Sequence, residues 1–304
     1  MKRRKFIKQL GGAAALSMVD GLVLPTLATN HKRHITILHT NDTHSHIEPF
    51  DADHSRNPNR GGVARRATLV EQIRKENKNT LLLDAGDIFQ GTPYFNYFGG
   101  ELEFKLMSML KYDVATIGNH DFDNSIEGLY KQLPNAKFDF VSANYDFKNT
   151  VLDTHVKPYK IIVKDGIKIG IFGLGIELEG LVGKKMYKET GYLDPVEISQ
   201  DITKKLKNEE NCDLIICLSH LGYYYKNNPN KISDLNLAEA TKDIDLIIGG
   251  HTHTFLPKPT LVKNLDDKNI LVNQVGAYGI NLGRIDFYFD ENKNKSANGT
   301  TILV

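Results

Sequence analysis

Five short polar stretches hold most of the groups in this chain that could do chemistry. They are Asp42-Thr-His44, Asp84-Ala-Gly-Asp87, Gly118-Asn119-His120-Asp121-Phe122-Asp123, Ser219-His220 and Gly250-His251-Thr-His253. Each follows an apolar run that reads as a strand, at 34–38, 80–83, 113–117, 214–218 and 245–248. Sites in open α/β sheets form beyond the carboxyl ends of strands. Parallel strands would deliver all five tips to one edge. The donors are carboxylates, one amide carbonyl and imidazoles, without a thiolate. That set suits borderline divalent ions such as Zn²⁺, Mn²⁺, Fe or Co²⁺. Asp42, His44, Asp87, Asn119, His220, His251 and His253 are seven candidate ligands, and a single Zn²⁺ takes three or four. Seven fit two ions that share a carboxylate. Two ions about 3.5–4 Å apart clamp the attacking and leaving oxygens of an in-line phosphoryl displacement. They also make hydroxide available from a bridging water at neutral pH. His120 and Asp123 stand three residues apart, so the acid can orient the ring. Singly, each stretch reads as a turn, a cap or a hydrogen-bonded histidine. Their joint occurrence at successive strand ends carries the inference.

Helices alternate with these strands. Apolar spacing predicts helices over Gly62–Asn77, Glu101–Lys111 and Ser125–Leu133. Pro195–Lys207 reads as another, with proline in its first turn, and Ser233 caps one running to Thr241. Phe140–Ala143 is a short strand. Lys164-Asp165-Gly166 turns a hairpin between Tyr159–Val163 and Ile167–Gly173, so the sheets are not purely parallel. Ile270–Val275 and Arg284–Phe289 close the strands, followed by a polar tail. This order suits a layered α/β domain with two sheets inside and helices outside. Cys212 and Cys217, five apart in one apolar run, read as buried hydrophobes on opposite strand faces and not as a disulfide.

The first 28 residues read as a signal peptide. Lys2, Arg3, Arg4, Lys5 and Lys8 precede a moderately apolar segment that ends in Thr26-Leu27-Ala28. Adjacent Arg3-Arg4 before Lys5-Phe6-Ile7-Lys8 resembles the twin-arginine export signal, which implies a periplasmic or secreted protein that crosses the membrane folded. Residues 29–304 would then form one catalytic domain. No later stretch is apolar enough for a bilayer span. Without residues 1–28 the formal net charge is −3, which gives no support to a nucleic-acid binder.

The chain resembles the calcineurin-like metallophosphoesterases, and within them the 5′-nucleotidase family, over about residues 34–290. Ile35-Thr-Ile-Leu-His-Thr-Asn-Asp-Thr-His-Ser45 is similar to that family's first signature, and Tyr112 through Asp123 to its second. The resemblance implies a four-layer fold, two mixed β-sheets sandwiched between helices. It implies two divalent metal ions, one held by Asp42, His44 and His253, the other by Asn119, His220 and His251, with Asp87 between them. His120 would stabilise the phosphoryl oxygens or protonate the leaving group, with Asp123 holding its ring. His46 and Asp84 would support the ligands from behind. Metal-bound hydroxide would attack phosphorus in line, in a 5′-nucleotidase-like phosphomonoesterase acting on a phosphorylated small molecule such as a nucleotide. The same site serves phosphodiesterases of cyclic nucleotides or nucleotide-sugars and sulfur-ester hydrolases, and a non-catalytic metal-binding module is the remaining alternative.

Three departures from the family pattern matter. Asp121 stands where Glu is common, a change that touches no assigned role. His253 stands where some 5′-nucleotidases have Gln or Asn. The family's C-terminal nucleotide-binding domain has no counterpart here, so a separate chain would supply it. Tyr94, Phe95, Tyr97, Phe98 and Tyr223–Tyr225 could stack a base. Arg60 and Arg65 are further candidates for a substrate phosphate.

Overall fold

The computed structural model describes residues 33–304; the signal peptide expected over 1–28 lies outside the described residues. In chain order the strands are β1 (Arg33–Thr40), β2 (Thr80–Asp84), β3 (Val114–Ala115), β4 (Asp139–Phe140), β5 (Tyr145–Asp146), β6 (Tyr159–Lys164) and β7 (Ile167–Leu174). They continue with β8 (Gly191–Tyr192), β9 (Leu214–Ser219), β10 (Leu246–Gly249), β11 (Thr260–Lys263), β12 (Asn269–Asn273), β13 (Asn281–Phe289) and β14 (Lys295–Leu303). The helices are α1 (Val63–Glu76), α2 (Pro93–Phe98), α3 (Glu101–Met109), α4 (Ser125–Gln132), α5 (Lys184–Tyr187), α6 (Pro195–Lys204) and α7 (Asp234–Ala240).

Two six-stranded mixed sheets form, ordered β14-β13-β1-β2-β3-β4 and β11-β12-β10-β9-β7-β6. Within the first, β1, β2, β3 and β4 run parallel; within the second, β7, β9, β10 and β12 do. Antiparallel β6–β7 is the hairpin expected around Asp165-Gly166. Strand alternation sorts the side chains into layers. Ile35, Ile37, Leu81 and Leu83 of the first sheet meet Ile169, Ile171, Ile216 and Ile248 of the second. On its other face the first sheet packs Leu38 and Leu82 against Val70, Phe104 and Ile126 of α1, α3 and α4. The second sheet packs Phe172 and Ile215 against Leu237 of α7 and Ile198 and Ile202 of α6. The result is helix, sheet, sheet, helix, as the sequence implies.

The register places the site. Thr40 pairs with Asp84 and Asp84 with Ala115. In the second sheet Leu174 pairs with Ser219 and Ser219 with Gly249. Within each sheet the site-bearing strands therefore end level, and their polar tips leave side by side.

Some expectations need correction. The polar tail is strand β14, paired with β13 over nine positions; it reads as tail because this edge strand keeps most side chains in solvent. The run 113–117 gives only two ladder residues, since the chain leaves the sheet early to reach the site. Strand β11 carries no pattern of its own and pairs only with β12. Cys212 precedes β9 and is not on it, so both cysteines are buried in the same cluster beneath α6 and α7, unpaired.

Phe104 is fully buried, with its ring 4.9 Å from that of Phe89 and 5.1 Å from that of Phe140. Phe104→Ala is expected to cost about 3–5 kcal/mol of unfolding free energy, measured as a lower urea midpoint at unchanged slope.

Candidate metal centre

The strand ends bring together two groups of possible ligands, Asp42, His44 and His253, and Asp87, His220 and His251; within each, the ligand atoms lie within 4.8 Å of one another. Asn119 joins the second group, its Oδ1 2.8 Å from His251 Nδ1. The groups share carboxylates. Asp87 Oδ2 is 3.1 Å from His220 Nε2 and 3.8 Å from His44 Nε2. Asp42 Oδ1 is 3.4 Å from His253 Nε2 and 3.9 Å from His220 Nε2. All seven residues singled out from the sequence thus meet at one edge.

Tautomers and burial test whether this set suits a cation. His220 Nδ1 lies 2.7 Å from the Ala85 carbonyl and donates to it, which leaves a lone pair on Nε2. That atom is buried and makes no hydrogen bond; Asp87 Oδ2 is near but out of line. His44 Nδ1 faces the Phe89 carbonyl at 3.2 Å, and its Nε2 meets His253 Nε2 at 3.0 Å. The two nitrogens share one proton as a hydrogen bond, and a metal ion between them would take that proton's place. Carbonyl-anchored imidazoles with inward lone pairs are what a metal-ligating histidine requires. Protonation tells the same story. Burial opposes charge on His220, but Asp87 and then Asp42 pull it up to about 10. A proton there stands in for a stronger cation, and metal binding would displace it. Burial lowers His44, and burial with His220 lowers His251 to about 4, so both offer neutral nitrogens. The residues fit divalent metal ions.

The backbone is strained to make this arrangement. Asp42, His44, Asp87, His251 and His253 all have positive φ, between 47° and 69°. Left-handed non-glycine residues cost about 1–3 kcal/mol each. The strained turns also lock together: Asp42 N–H donates to Gly86 O and His251 N–H to Asp42 Oδ1, each at 2.9 Å. Glycine is required at Gly118, where a methyl would strike Asp87 Oδ1 and the Asp87 amide.

Beside the two groups stands His120. Its Nδ1 lies 2.7 Å from Asp123 Oδ2, and its ring is 5.3 Å from that of His44. The His120 side chain is 39% exposed, so it faces the space a substrate would enter. The hydrogen bond it donates to Asp123 raises its pKa above the ordinary value, against the effect of burial.

Residues 35–255 match the family model of the calcineurin-like phosphoesterases. The chain belongs to that family. Members hydrolyse phosphoric esters with divalent metal ions. This phosphoesterase is 37% identical over 292 residues to a snake venom 5′-nucleotidase of Naja atra, covering 89% of this chain and 53% of that protein. It is 35% identical over 289 residues to the trifunctional nucleotide phosphoesterase YfkN of Bacillus subtilis, covering 84% of this chain and 18% of that protein. A 5′-nucleotidase precursor from Thermus thermophilus superposes with a TM-score of 0.79 at 34% identity, covering 90% of this chain and 55% of that one. The phosphoesterase spans about half the length of the venom and Thermus proteins.

Two residues that sequence reasoning passed over belong to the site. Asp121 is fully buried; its carboxylate accepts from the backbone N–H groups of Asp87, Ile88, Phe89 and Gly118 at 2.8–3.1 Å. It therefore fixes the turn that presents Asp87, although its spacing looked idle. Burial and then the Asp87 charge push it up to about 7, while the Gly118 and Phe89 amides hold it down. Tyr278 also has positive φ, donates its N–H to Asp42 O at 2.7 Å, and sets its ring 5.7 Å from that of His253. Only a neighbouring pair of glycines hinted at this turn.

The supporting candidates divide. Asp84 accepts from Thr40 Oγ1 and from the Gly86 amide, so it ties β1 to β2 and shapes the turn to Asp87. His46 makes no hydrogen bond to a candidate ligand; it stacks on Phe50 at 4.8 Å and meets the tilted ring of Tyr278 at 4.6 Å. Phe95 is in the core, while Tyr223 and Tyr225 commit their hydroxyls to Thr260 and Leu221. Arg65 bonds the Asn59 carbonyl at the surface.

Asp121→Asn keeps the shape but turns an amide donor towards backbone donors. Metal affinity or turnover is expected to fall about 10–100-fold, with metal content by mass spectrometry and kcat measured on the same preparations.

Proposed function

We propose that this chain is a dinuclear-metal phosphomonoesterase of the 5′-nucleotidase type. The observation that carries the reading is the meeting of two ligand groups, Asp42, His44 and His253 with Asp87, Asn119, His220 and His251, beside the separate His120–Asp123 pair. Zn, Mn, Fe and Co ions all suit this donor set. Ions held there would supply Lewis acidity and a nucleophile at neutral pH. Overall, a water oxygen adds to phosphorus, the ester P–O bond breaks, and the leaving oxygen takes a proton.

The chain's own part in that reaction is proton placement and shape. His120 donates Nδ1–H to Asp123, which sets the tautomer and directs Nε2 towards the substrate. In its protonated form that nitrogen stabilises phosphoryl oxygens and then gives its proton to the leaving oxygen. Asp121 holds the Asp87 turn, and Ala85 and Phe89 hold the histidine rings. The presence of both His120 and Asp123 speaks against a non-catalytic metal-binding module. The names of the relatives support a nucleotide as substrate. A phosphodiesterase on the same site is the second reading; faster turnover of bis(p-nitrophenyl) phosphate than of p-nitrophenyl phosphate would favour it.

Export by the twin-arginine route is part of the proposal and rests on Arg3-Arg4 and the segment that follows. No described helix is long and apolar enough to cross a membrane. Neither the described residues nor the relatives call for a separate chain that completes the nucleotide site. An isolated monomer fully active on AMP would dispense with one.

His120→Ala is expected to lower kcat about 10²–10⁴-fold at unchanged metal content. Unchanged turnover would sink the assignment. Since Asp123 raises the pKa of His120, activity should fall as pH rises through that raised value. Asp123→Asn should shift this alkaline limb to lower pH in a kcat–pH profile.

A further inference from the structure

The turn that carries His44 backs onto a small cavity among buried side chains. Thr43 and Ser45, on either side of His44, line it together with Arg66 of α1, Glu103 and Met107 of α3, and Tyr112. It leaves about 20 Å³ for the centre of a water molecule, and about 10–15 Å³ suffices for one. Its polar groups are unpaired. Ser45, Arg66 and Glu103 are 1%, 4% and 3% exposed. Both Glu103 carboxylate oxygens, Arg66 Nε and Nη1, and the Ser45 hydroxyl find no hydrogen-bond partner among the described residues. Burial pushes the Glu103 carboxyl up, and the Ser45 hydroxyl beside it acts the other way without bonding it directly. Buried polar groups are as a rule hydrogen-bonded, and two buried charges without compensation would be strongly destabilising.

The charges choose the occupant. Glu103 repels an anion and Arg66 repels a cation, while a neutral molecule that both donates and accepts suits the two together. Water does both, and a buried water typically makes about three hydrogen bonds to such groups. The position matters for the metal centre. Asp42, His44 and Ser45 hold left-handed backbones, with φ of 49°, 47° and 53°. Such conformations persist only where the surroundings over-determine them. The Ser45 main chain is held twice: its N–H donates to Ile88 O at 2.9 Å, and its O accepts from Thr92 Oγ1 at 2.8 Å. Its side chain has only the cavity to bond. Arg66 also reaches the far side of this turn. A methyl on Gly279 would strike Arg66 Nη1, and the neighbouring Tyr278 N–H donates to Asp42 O.

We infer that the cavity is a hydration site, in which one water joins Arg66, Glu103 and Ser45 and so clamps the His44 turn to α1 and α3. The water accepts from the Arg66 guanidinium, donates to the Glu103 carboxylate and shares its third bond with the Ser45 hydroxyl. A water-mediated link of this kind is nearly as good in enthalpy as a direct hydrogen bond. The three residues act through the backbone of His44 and are positioning residues. The inference rests on the metal centre described above and not on the identity of the substrate.

The test uses Ser45→Ala, Glu103→Leu, and the double variant Arg66→Met/Glu103→Leu. Glu103→Leu leaves a buried guanidinium unpaired and should lower the melting temperature by about 5–10 °C. The double variant removes both charges and should return to within about 2 °C of wild type. The clamp should not return with it. Hydrogen exchange over residues 42–46 of the metal-free protein should quicken about tenfold in Ser45→Ala and in the double variant, with exchange over the core strands unchanged. Affinity for Zn²⁺, measured against a chromophoric chelator, should fall about tenfold in both. A charge pair that only supports the fold would restore exchange and affinity along with the melting temperature. Wild-type exchange over 42–46 in the double variant therefore overturns the inference, as does unchanged exchange in Ser45→Ala. In a high-resolution crystal structure, a water within hydrogen-bond reach of Arg66, Glu103 and Ser45 upholds it. A direct Arg66–Glu103 ion pair, or a metal ion in the cavity, overturns it. If wild type takes up no Zn²⁺, the dinuclear reading fails, and the exchange comparison still decides the clamp.

Discussion

The constraint on which the structure turns is electrostatic. Asp42, Asp87 and His220 are each no more than 1% exposed, and the Asp42 and Asp87 carboxylates lie 3.9 and 3.1 Å from His220 Nε2. Burying ionised carboxylates costs several kcal/mol per ion unless a counter-charge stands close by. The imidazoles cannot all supply it, since burial lowers His44 and burial with His220 lowers His251. Divalent ions can. Their charge offsets the desolvation of the carboxylates. Outer features of the site follow from this need: carbonyls at Ala85 and Phe89 that fix tautomers, left-handed turns that aim side chains, and a glycine at 118 that lets Asp87 approach.

The two sheets answer the geometric side of the same constraint. Neither sheet holds a complete ligand set. Asp42, His44, Asp87 and Asn119 follow strands of the first, and His220, His251 and His253 follow strands of the second. The centre therefore exists only when the sheets are docked face to face through the isoleucine- and leucine-rich layer between them. That layer is buried, and such packing has discrete arrangements instead of continuous ones. The distances across the site, such as 3.1 Å from His220 to Asp87, are set by it. Asp121 adds a local clamp, because four amide hydrogen bonds to one carboxylate leave the Asp87 turn little freedom.

Much of this was legible in the sequence, and the divide is physical. Apolar runs ending in Asp, Asn or His mark strands and their tips, because burial on both faces demands continuous hydrophobicity and the site demands polarity at the end. The ligand residues were visible for that reason. Asp121 was not, because one Asp among Asn119, His120 and Asp123 looks like its neighbours until the backbone amides of a distant loop are seen to converge on it. Strand β14 was invisible for the opposite reason: an edge strand with a solvated face, Lys295–Leu303, carries no core pattern. The loop around Arg60 was likewise read as polar sequence, although Arg60 itself stood out as a candidate for a substrate phosphate. Its meaning comes from Gly61 reaching Val304 and Phe50 reaching Tyr278, contacts far apart along the chain.

A second ring of acids extends the electrostatic argument. Asp84, Asp121 and Asp234 are wholly buried around the centre, with pKa values pushed by burial up to about 7, 7 and 8. Asp234 accepts from Ser219 Oγ at 2.5 Å, directly behind His220, while its other oxygen finds no partner. Folded-state values raised this far above the ordinary range mean that the protonated acids stabilise the fold at low pH, and that this contribution is lost as pH rises towards those values. Near neutrality Asp84 and Asp234 would therefore hold protons that the unfolded chain does not, whereas the four amide donors on Asp121 favour its ionised form. A divalent cation placed among Asp42, Asp87 and the histidines works against those protons, because its field favours the ionised form of every acid around it. Metal binding, proton release and fold stability are then one linked equilibrium. The buried acids around the centre thereby tie the binding of a cation there to the stability of the fold.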